Sequence, residues 1–261
     1  MPGTLEMLSR GGERLLAGGV HIRGVRVLGL GLVENGRSLI AGIDAAYQHE
    51  CCQPQSETEE HLYQHLLTYG VDVELGISVK QVEDRGDHVE VVLLHSDGRE
   101  ETATARYLIH AGGSHSVVRA SMPNKHLEGL TYEGTYIVAD VRVGAELPAE
   151  LANLLVCAKG LVLMAPLPDK RHLIFADAAD QDPAARPSVE RLCAAVNERA
   201  ELDLGFHDVR WTSTFRMHKR QAVELAPGSR FLVGDSGHAS SPLGGHGLNS
   251  ALMDAADLAW S

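Results

Sequence analysis

Apolar and polar residues alternate through much of the chain, and this period of two predicts strands over 71–75, 77–83, 88–95 and 102–109. Asp97-Gly98 signals a hairpin between the last two, and Arg85-Gly86-Asp87 marks another turn, so this region reads as a β-meander. Similar alternation over 135–143, 154–158, 161–166, 172–177 and 209–217 predicts an antiparallel sheet, with Pro168-Asp169-Lys170 as a turn. Helical spacing shows elsewhere. Ser56 followed by Glu59 has the form of a capping box, with Leu62, Leu66 and Leu67 on one face and Gly70 as a stop, which predicts a helix over 57–69. Ser188 opens a second, carrying Val189, Leu192, Cys193, Val196 and Ala200. Leu248, Ala251, Leu252, Ala255, Leu258 and Ala259 share one face of a third. Before residue 42 the pattern is weaker, allowing a short helix at 4–8 and strands at about 20–33 and 37–41.

A chain of 261 residues with 44% hydrophobic and 22% charged residues has the composition of a soluble globular protein of one or two domains. No apolar run approaches the roughly 20 residues that span a bilayer, and no signal-like segment opens the sequence, so a cytoplasmic protein without a membrane partner is expected. The net charge of −12, from 35 acidic and 23 basic residues, argues against nucleic acid as a partner. Cys51, Cys52, Cys157 and Cys193 show no C-x-x-C spacing. His61 and His65 lack the glutamate of H-E-x-x-H and read as a solvated helix face rather than metal ligands.

The stretch with most chemical content runs from Phe231 to Trp260. Phe231, Leu232 and Val233 form a short apolar strand closed by Gly234, and Asp235 sits just past its carboxyl end, where ligands bind in open α/β sheets. Gly244-Gly245-His246-Gly247 then lies directly before the last helix. Glycine lets a ligand approach the backbone, and the amides and dipole of a helix N-terminus favour negative charge. Together these form a site for an anionic or electron-rich ligand.

The same stretch supplies Gly234, Asp235, His238, Pro242, Gly244, Gly245, Gly247, Asn249, Asp254, Ala255, Leu258, Ala259 and Trp260 in register with a pattern close to G-D-A-A-H-x-x-x-P-x-G-G-x-G-x-N-x-x-x-x-D-A-x-x-L-A-W. It thereby resembles the second flavin-binding motif of the FAD-dependent aromatic hydroxylases, the group A flavoprotein monooxygenases with a para-hydroxybenzoate-hydroxylase-like fold. The resemblance implies that Asp235 accepts hydrogen bonds from the ribityl hydroxyls of FAD and that Pro242 sits beside the isoalloxazine ring. It also implies that the amides of Gly247, Leu248 and Asn249 face the ring's pyrimidine edge. His238 is left between two roles, lining the cavity or satisfying the turn.

Two further segments carry the resemblance. The entry to the helix after Pro54 resembles the family segment whose glutamine contacts FAD, here Gln55; taken as bare sequence, Gln55 is an ordinary polar residue before a helix. His110 to Arg119 resembles the family's G-A-D-G-x-x-S-x-V-R signature, matching at Ala111, Gly113, Ser116, Val118 and Arg119, with His110 in place of the leading glycine and Gly112 in place of the aspartate. That aspartate serves FAD and NAD(P)H binding in the family, so the substitution bears on nicotinamide use. Arg216 and Met217 become candidate substrate residues, since the segment around them resembles the link from the family's substrate sheet back to its cofactor domain; as bare residues Trp211 and Phe215 read as core.

The expected fold class is thus α/β (α+β): an incomplete FAD-binding, Rossmann-like domain with a β-meander, plus an antiparallel-sheet substrate domain. Residues 1–125 and 226–261 would form the cofactor domain and 126–225 the substrate domain. The G-x-G-x-x-G fingerprint with which the family begins does not occur, which implies a chain lacking the first few dozen family residues. The activity implied is hydroxylation of a phenol-like or polyketide-like aromatic compound with FAD, NAD(P)H and O2 through a flavin hydroperoxide. The alternative is a non-catalytic or truncated flavoprotein-like domain unable to hold FAD on its own.

Overall fold

The structure, a computed structural model, describes residues 10–29, 33–39, 49–115, 117–122, 124, 126–177, 188–201, 203–240 and 245–260. The helix expected at 4–8 lies outside them, as do Ser116, Pro242 and Gly244. In chain order the first elements are α1 (Arg10–Gly18), β1 (Val20–Ile22), β2 (Gly24–Leu28), β3 (Glu34–Leu39), β4 (Glu50–Cys52) and α2 (Gln55–Leu67). The meander β5 (Ile77–Asp84), β6 (Val89–His95) and β7 (Glu100–Ala105) follows, then β8 (Leu108–His110), one-turn α3 (Val117–Ala120) and β9 (Leu127–Thr131). Next come β10 (Tyr136–Arg142), β11 (Leu151–Cys157), β12 (Gly160–Leu167), β13 (Arg171–Asp177), α4 (Val189–Ala200) and β14 (His207–Phe215). The chain closes with β15 (His218–Ala222), β16 (Arg230–Leu232), β17 (His238–Ala239) and α5 (Gly247–Trp260).

Some expectations give way to tertiary context. Residues 71–75 form no strand: Val71, Val73 and Leu75 are exposed, and alternation without a sheet partner does not make a strand. Helix α2 starts from Pro54, whose carbonyl accepts the amides of Glu57 and Thr58, so Ser56 lies inside the helix and makes no capping box. The segment expected as one strand over 102–109 divides, because β7 pairs within the meander while β8 pairs in parallel with β16. Ser188 does cap its helix, accepting the Arg191 amide at 3.2 Å.

The chain forms two compact units: Met1–Val71 with Glu133–Arg216, and Asp72–Tyr132 with Met217–Ser261. In the first, seven strands run in the order β14-β10-β13-β12-β11-β2-β3, antiparallel except for β11 and β2. The parallel register from Leu151↔Gly24 to Leu155↔Leu28 draws β2 into this sheet, and β3 joins it at the edge by pairing with β2, while β1 pairs with β4 in a separate two-stranded sheet. A strand belongs where its backbone groups find partners. One face of these strands is uniformly apolar and buried. Ile137, Ala139, Val141, Val162, Met164, Ile174 and Ala176 pack under Leu192, Val196 and Ala200 of α4, each large side chain contributing about 1.5–3 kcal/mol by leaving water.

Arg171 is buried beside this core and fully engaged: Nε donates to Asp140 Oδ1 at 2.5 Å, Nη1 to Asp208 Oδ2 at 2.8 Å, and Nη2 to the carbonyls of Asp140 and Asp208. The second unit packs Val82, Val89, Val91, Val118, Met122, Ala222 and Leu232 into its own core, between the meander, the sheet β17-β15-β9 and the parallel pair β16-β8. No helix among the described residues is long and apolar enough to cross a membrane.

Asp140→Ala removes the acceptor of Arg171 Nε while Asp208 and two backbone carbonyls still hold the guanidinium, so it is expected to destabilise the first unit by about 1–3 kcal/mol in urea denaturation; a change below about 0.5 kcal/mol would contradict this ion pairing. His172, also buried, has its pKa pushed below the ordinary histidine value by burial. In the unfolded chain it takes a proton near pH 6.5, whereas the folded form resists, so its contribution to stability is full above that pH and declines below it. His172→Gln should flatten the dependence of stability on pH between 5 and 7, and an unchanged slope would rule His172 out as its source.

Candidate functional site

The site residues of the second unit converge at the carboxyl ends of β8 and β16. These strands run parallel in the register Arg230↔Leu108 to Leu232↔His110, and the Val233 amide continues the ladder to the His110 carbonyl at 3.1 Å. Both chains therefore turn at the same edge, one through Ala111-Gly112-Gly113 and the other through Gly234-Asp235-Ser236. A topological opening of this kind exposes backbone groups where a ligand can meet them.

Three contacts lock the two turns. Ser236, fully buried, donates its hydroxyl between the carbonyls of His110 and Val233, each at 2.7 Å. Arg119 spans the gap, donating Nη1 to the Ser236 carbonyl at 2.7 Å and Nη2 to that of Ser114 at 2.5 Å. Burial first, and the charge of Arg220 second, lower its pKa from the ordinary arginine value. Asp254 of α5 accepts the Gly234 amide at 2.7 Å and pairs with His238 Nε2 at 2.5 Å through the same oxygen, Oδ2.

Gly234 is needed where it stands. Its φ of +59° is a left-handed conformation, and a Cβ there would lie 2.9 Å from Cβ of Ala251 on α5. This close approach docks the C-terminal helix on the turn and leaves the Asp235 carboxylate exposed, with no recorded partner among the described residues. At the start of the helix the situation is reversed. Around Gly245 and Gly247 an added Cβ would meet nothing within 4 Å, and Asn249 steadies the entry by donating Nδ2 to the Gly245 carbonyl at 3.0 Å. The amides of Gly247, Leu248 and Asn249 occupy the first turn of this 14-residue helix, where N–H groups lack intrahelical acceptors by construction.

The structure thus brings together Gly113, Arg119, Gly234, Asp235 and His238, with Gly245, Gly247, Leu248 and Asn249 on the helix entry of the same unit. Gly113 has a φ of +76° and open space where a side chain would go. His238 is engaged in the turn through Asp254, which is one of the two roles the sequence left open. Gln55 belongs to the first unit, exposed at the start of α2, donating its amide to Glu59 at 2.7 Å. Arg216 is exposed at the end of the first unit's chain, whereas Met217 is buried in the second. Sequence reasoning assigned no role to Asp254 or Ser236. An acid placed between Ala251 and Leu258 on an otherwise apolar helix stripe was the available signal for Asp254.

In the first unit, the face of the seven-stranded sheet opposite α4 carries three aromatic rings, with Tyr136 and Phe215 half-buried and Phe175 buried. Tyr136, Phe175 and Phe215 stack across three adjacent strands, with ring centroids 5.1 Å apart for Tyr136–Phe175 and 5.6 Å for Phe175–Phe215. This is an aromatic wall of the kind that receives planar apolar ligands.

A parallel strand pair ending in glycine turns, an acid past one strand and a helix docked on the turn define a nucleotide-cofactor-binding protein of the α/β class. The family model described as FAD binding domain matches residues 2–261, and the chain belongs to that family. Among curated proteins it is 30% identical over 267 residues to 6-methylpretetramide 4-monooxygenase of Streptomyces rimosus, covering 99% of this chain and 47% of the relative. Among solved structures it matches p-nitrophenol 4-monooxygenase of Pseudomonas putida with a TM-score of 0.85 at 20% identity, covering 99% of this chain and 67% of the other. It matches an anhydrotetracycline hydroxylase of Streptomyces rimosus with a TM-score of 0.78 at 27% identity, covering 99% and 52%. The chain spans about half the length of the curated relatives it matches.

The residues present suit FAD. Space beside Gly245 and Gly247 admits a ring against the backbone, and an uncommitted carboxylate at a strand end suits hydroxyl donors. Because Asp254 holds both the Gly234 amide and His238, Asp254→Ala should cost about 1–3 kcal/mol of stability in thermal or urea unfolding. Stability equal to the unaltered chain would show that the clamp is not formed in solution.

Proposed function

We propose that this chain carries the cofactor and substrate surfaces of an FAD-dependent monooxygenase that hydroxylates a phenol-like or polyketide-like aromatic compound, with NAD(P)H as reductant and the cytoplasm as its setting. The observation that carries the reading is the Gly234-Asp235-Ser236 turn, pinned by Asp254 and Arg119, with Gly234 and Ser236 buried and Asp235 exposed. When bound, FAD supplies the redox and oxygen chemistry. The protein's own share is binding, orientation and electrostatics. Asp235 would accept hydroxyl donors of the cofactor, and the amides of Gly247, Leu248 and Asn249 would stabilise negative charge at the helix N-terminus. Pro242 and Gly244 belong to the same proposed loop, and Gly113 and Arg119 to the facing turn. Gln55, Arg216 and Met217 are proposed contacts to cofactor or substrate on the strength of the family resemblance, and the stacked Tyr136, Phe175 and Phe215 offer the aromatic surface for substrate.

Asp235→Ala removes a charged acceptor, so FAD affinity should fall about tenfold or more when bound flavin is read by fluorescence. An unaltered dissociation constant would remove Asp235 from the site. Gly245→Val puts a branched side chain into the open space of the loop at a φ of +63°, and should weaken FAD binding while the first unit's unfolding midpoint stays put. Equal affinity in that variant would mean that the loop does not face the ring. Catalysis is tested by NAD(P)H consumption with a panel of phenols and polyketide aromatics. Stimulation by an aromatic compound, with formation of its hydroxylated product, supports the proposal. Consumption indifferent to every aromatic compound would favour a flavoprotein-like domain without chemistry.

A further inference from the structure

His110 ends β8 at the glycine turn, where its backbone carbonyl is taken by Ser236 and the Val233 amide. Its side chain has a different position. The imidazole folds over the next turn residue but one: a Cβ built on Gly112 would run into His110 Cε1 and would lie 2.8 Å from Nε2. The ring therefore fills the volume that a side chain at residue 112 would enter. Glycine at 112 and histidine at 110 are a matched pair, since either alone would leave a gap or a collision.

The polar atom of this ring is also unsatisfied. His110 Nε2 is buried and has no hydrogen-bond partner among the described residues, although an unmade hydrogen bond of a buried polar group is costly. A buried polar atom left this way in a native structure calls for an explanation, and beside a ligand site a partner from outside the chain is one. The imidazole lies against Gly112 of the first turn and close enough to feel the charge of Arg119, which reaches the Ser236 carbonyl of the second. Burial, and after it the charge of Arg119, lower the pKa of the ring, so it is neutral at physiological pH and able to offer either a donor or an acceptor at Nε2.

From this geometry we infer that His110 is a further cofactor-binding residue, whose Nε2 completes its hydrogen bonding on a polar oxygen of the bound flavin nucleotide. The role rests on the reading of this unit as an FAD site. It is specific to the His110/Gly112 arrangement: the side chain that reaches the ligand comes from the last residue of the strand, and residue 112 is kept bare to make room for it.

The test is FAD titration of the unaltered 261-residue chain beside Asp235→Ala, His110→Ala, His110→Leu and His110→Gln, with thermal unfolding of each without FAD. Leucine keeps the bulk of the ring and loses its polarity, whereas the glutamine amide can reach the position of Nε2. His110→Ala and His110→Leu should both bind FAD about tenfold more weakly, the worth of one buried hydrogen bond. His110→Gln should stay within about threefold of the unaltered chain. If His110→Leu binds as tightly as the unaltered chain, the imidazole only fills space and the inference is overturned. If Asp235→Ala weakens binding and no His110 variant does, the inference falls while the FAD site stands. If the unaltered chain takes up no FAD, both fall together.

Discussion

The Asp254 carboxylate is the contact on which the candidate site depends. One of its oxygens holds the amide of Gly234 and the imidazole of His238, and so fixes the end of β16 against the helix that follows. The left-handed Gly234 makes the approach of Ala251 feasible, and the buried Ser236 and the bridging Arg119 join the second strand end to the first. With Ser236, Arg119, His238 and Asp254 committed to the scaffold, Asp235 is left exposed. A residue that plays no part in holding a turn together is available to bind something else.

The two units divide the work along lines set by their residue patterns. The seven-stranded sheet commits one face to aliphatic packing under α4 and carries stacked rings on the other. The second unit has a smaller core and spends its polar groups on turns. That division accords with a cofactor site built from backbone and glycine and a substrate surface built from side chains, the arrangement proposed for this protein.

Much of this was legible in the sequence, and the parts that were not share a cause. The meander, the antiparallel sheet, the Ser188-capped helix and the strand–glycine–helix order around Gly234 all follow from local period and turn chemistry. The strand β15, reading His-Lys-Arg-Gln-Ala, has no such pattern and exists because β9 and β17 lie on either side of it. Likewise 71–75 alternates without a partner and forms no strand, and Gly24–Leu28 joins the seven-stranded sheet through a parallel pairing with β11 that no local signal announces. Side-chain partnerships across long separations were equally hidden. Asp254 lies 20 positions from Gly234 and Arg119 lies 117 from Ser236, so their roles emerge only from the fold. The family signature pointed to Asp235 and the glycines, but it treated His110 and Gly112 as two separate departures; the structure shows one arrangement.

The most direct measurement is an absorbance and fluorescence titration of the purified 261-residue chain with FAD, followed by removal of free cofactor. Retention of one FAD per chain, with quenched or shifted flavin fluorescence, is the predicted result. A chain that is folded by circular dichroism yet retains no flavin at any cofactor concentration tested would contradict the assignment of the second unit as a cofactor site.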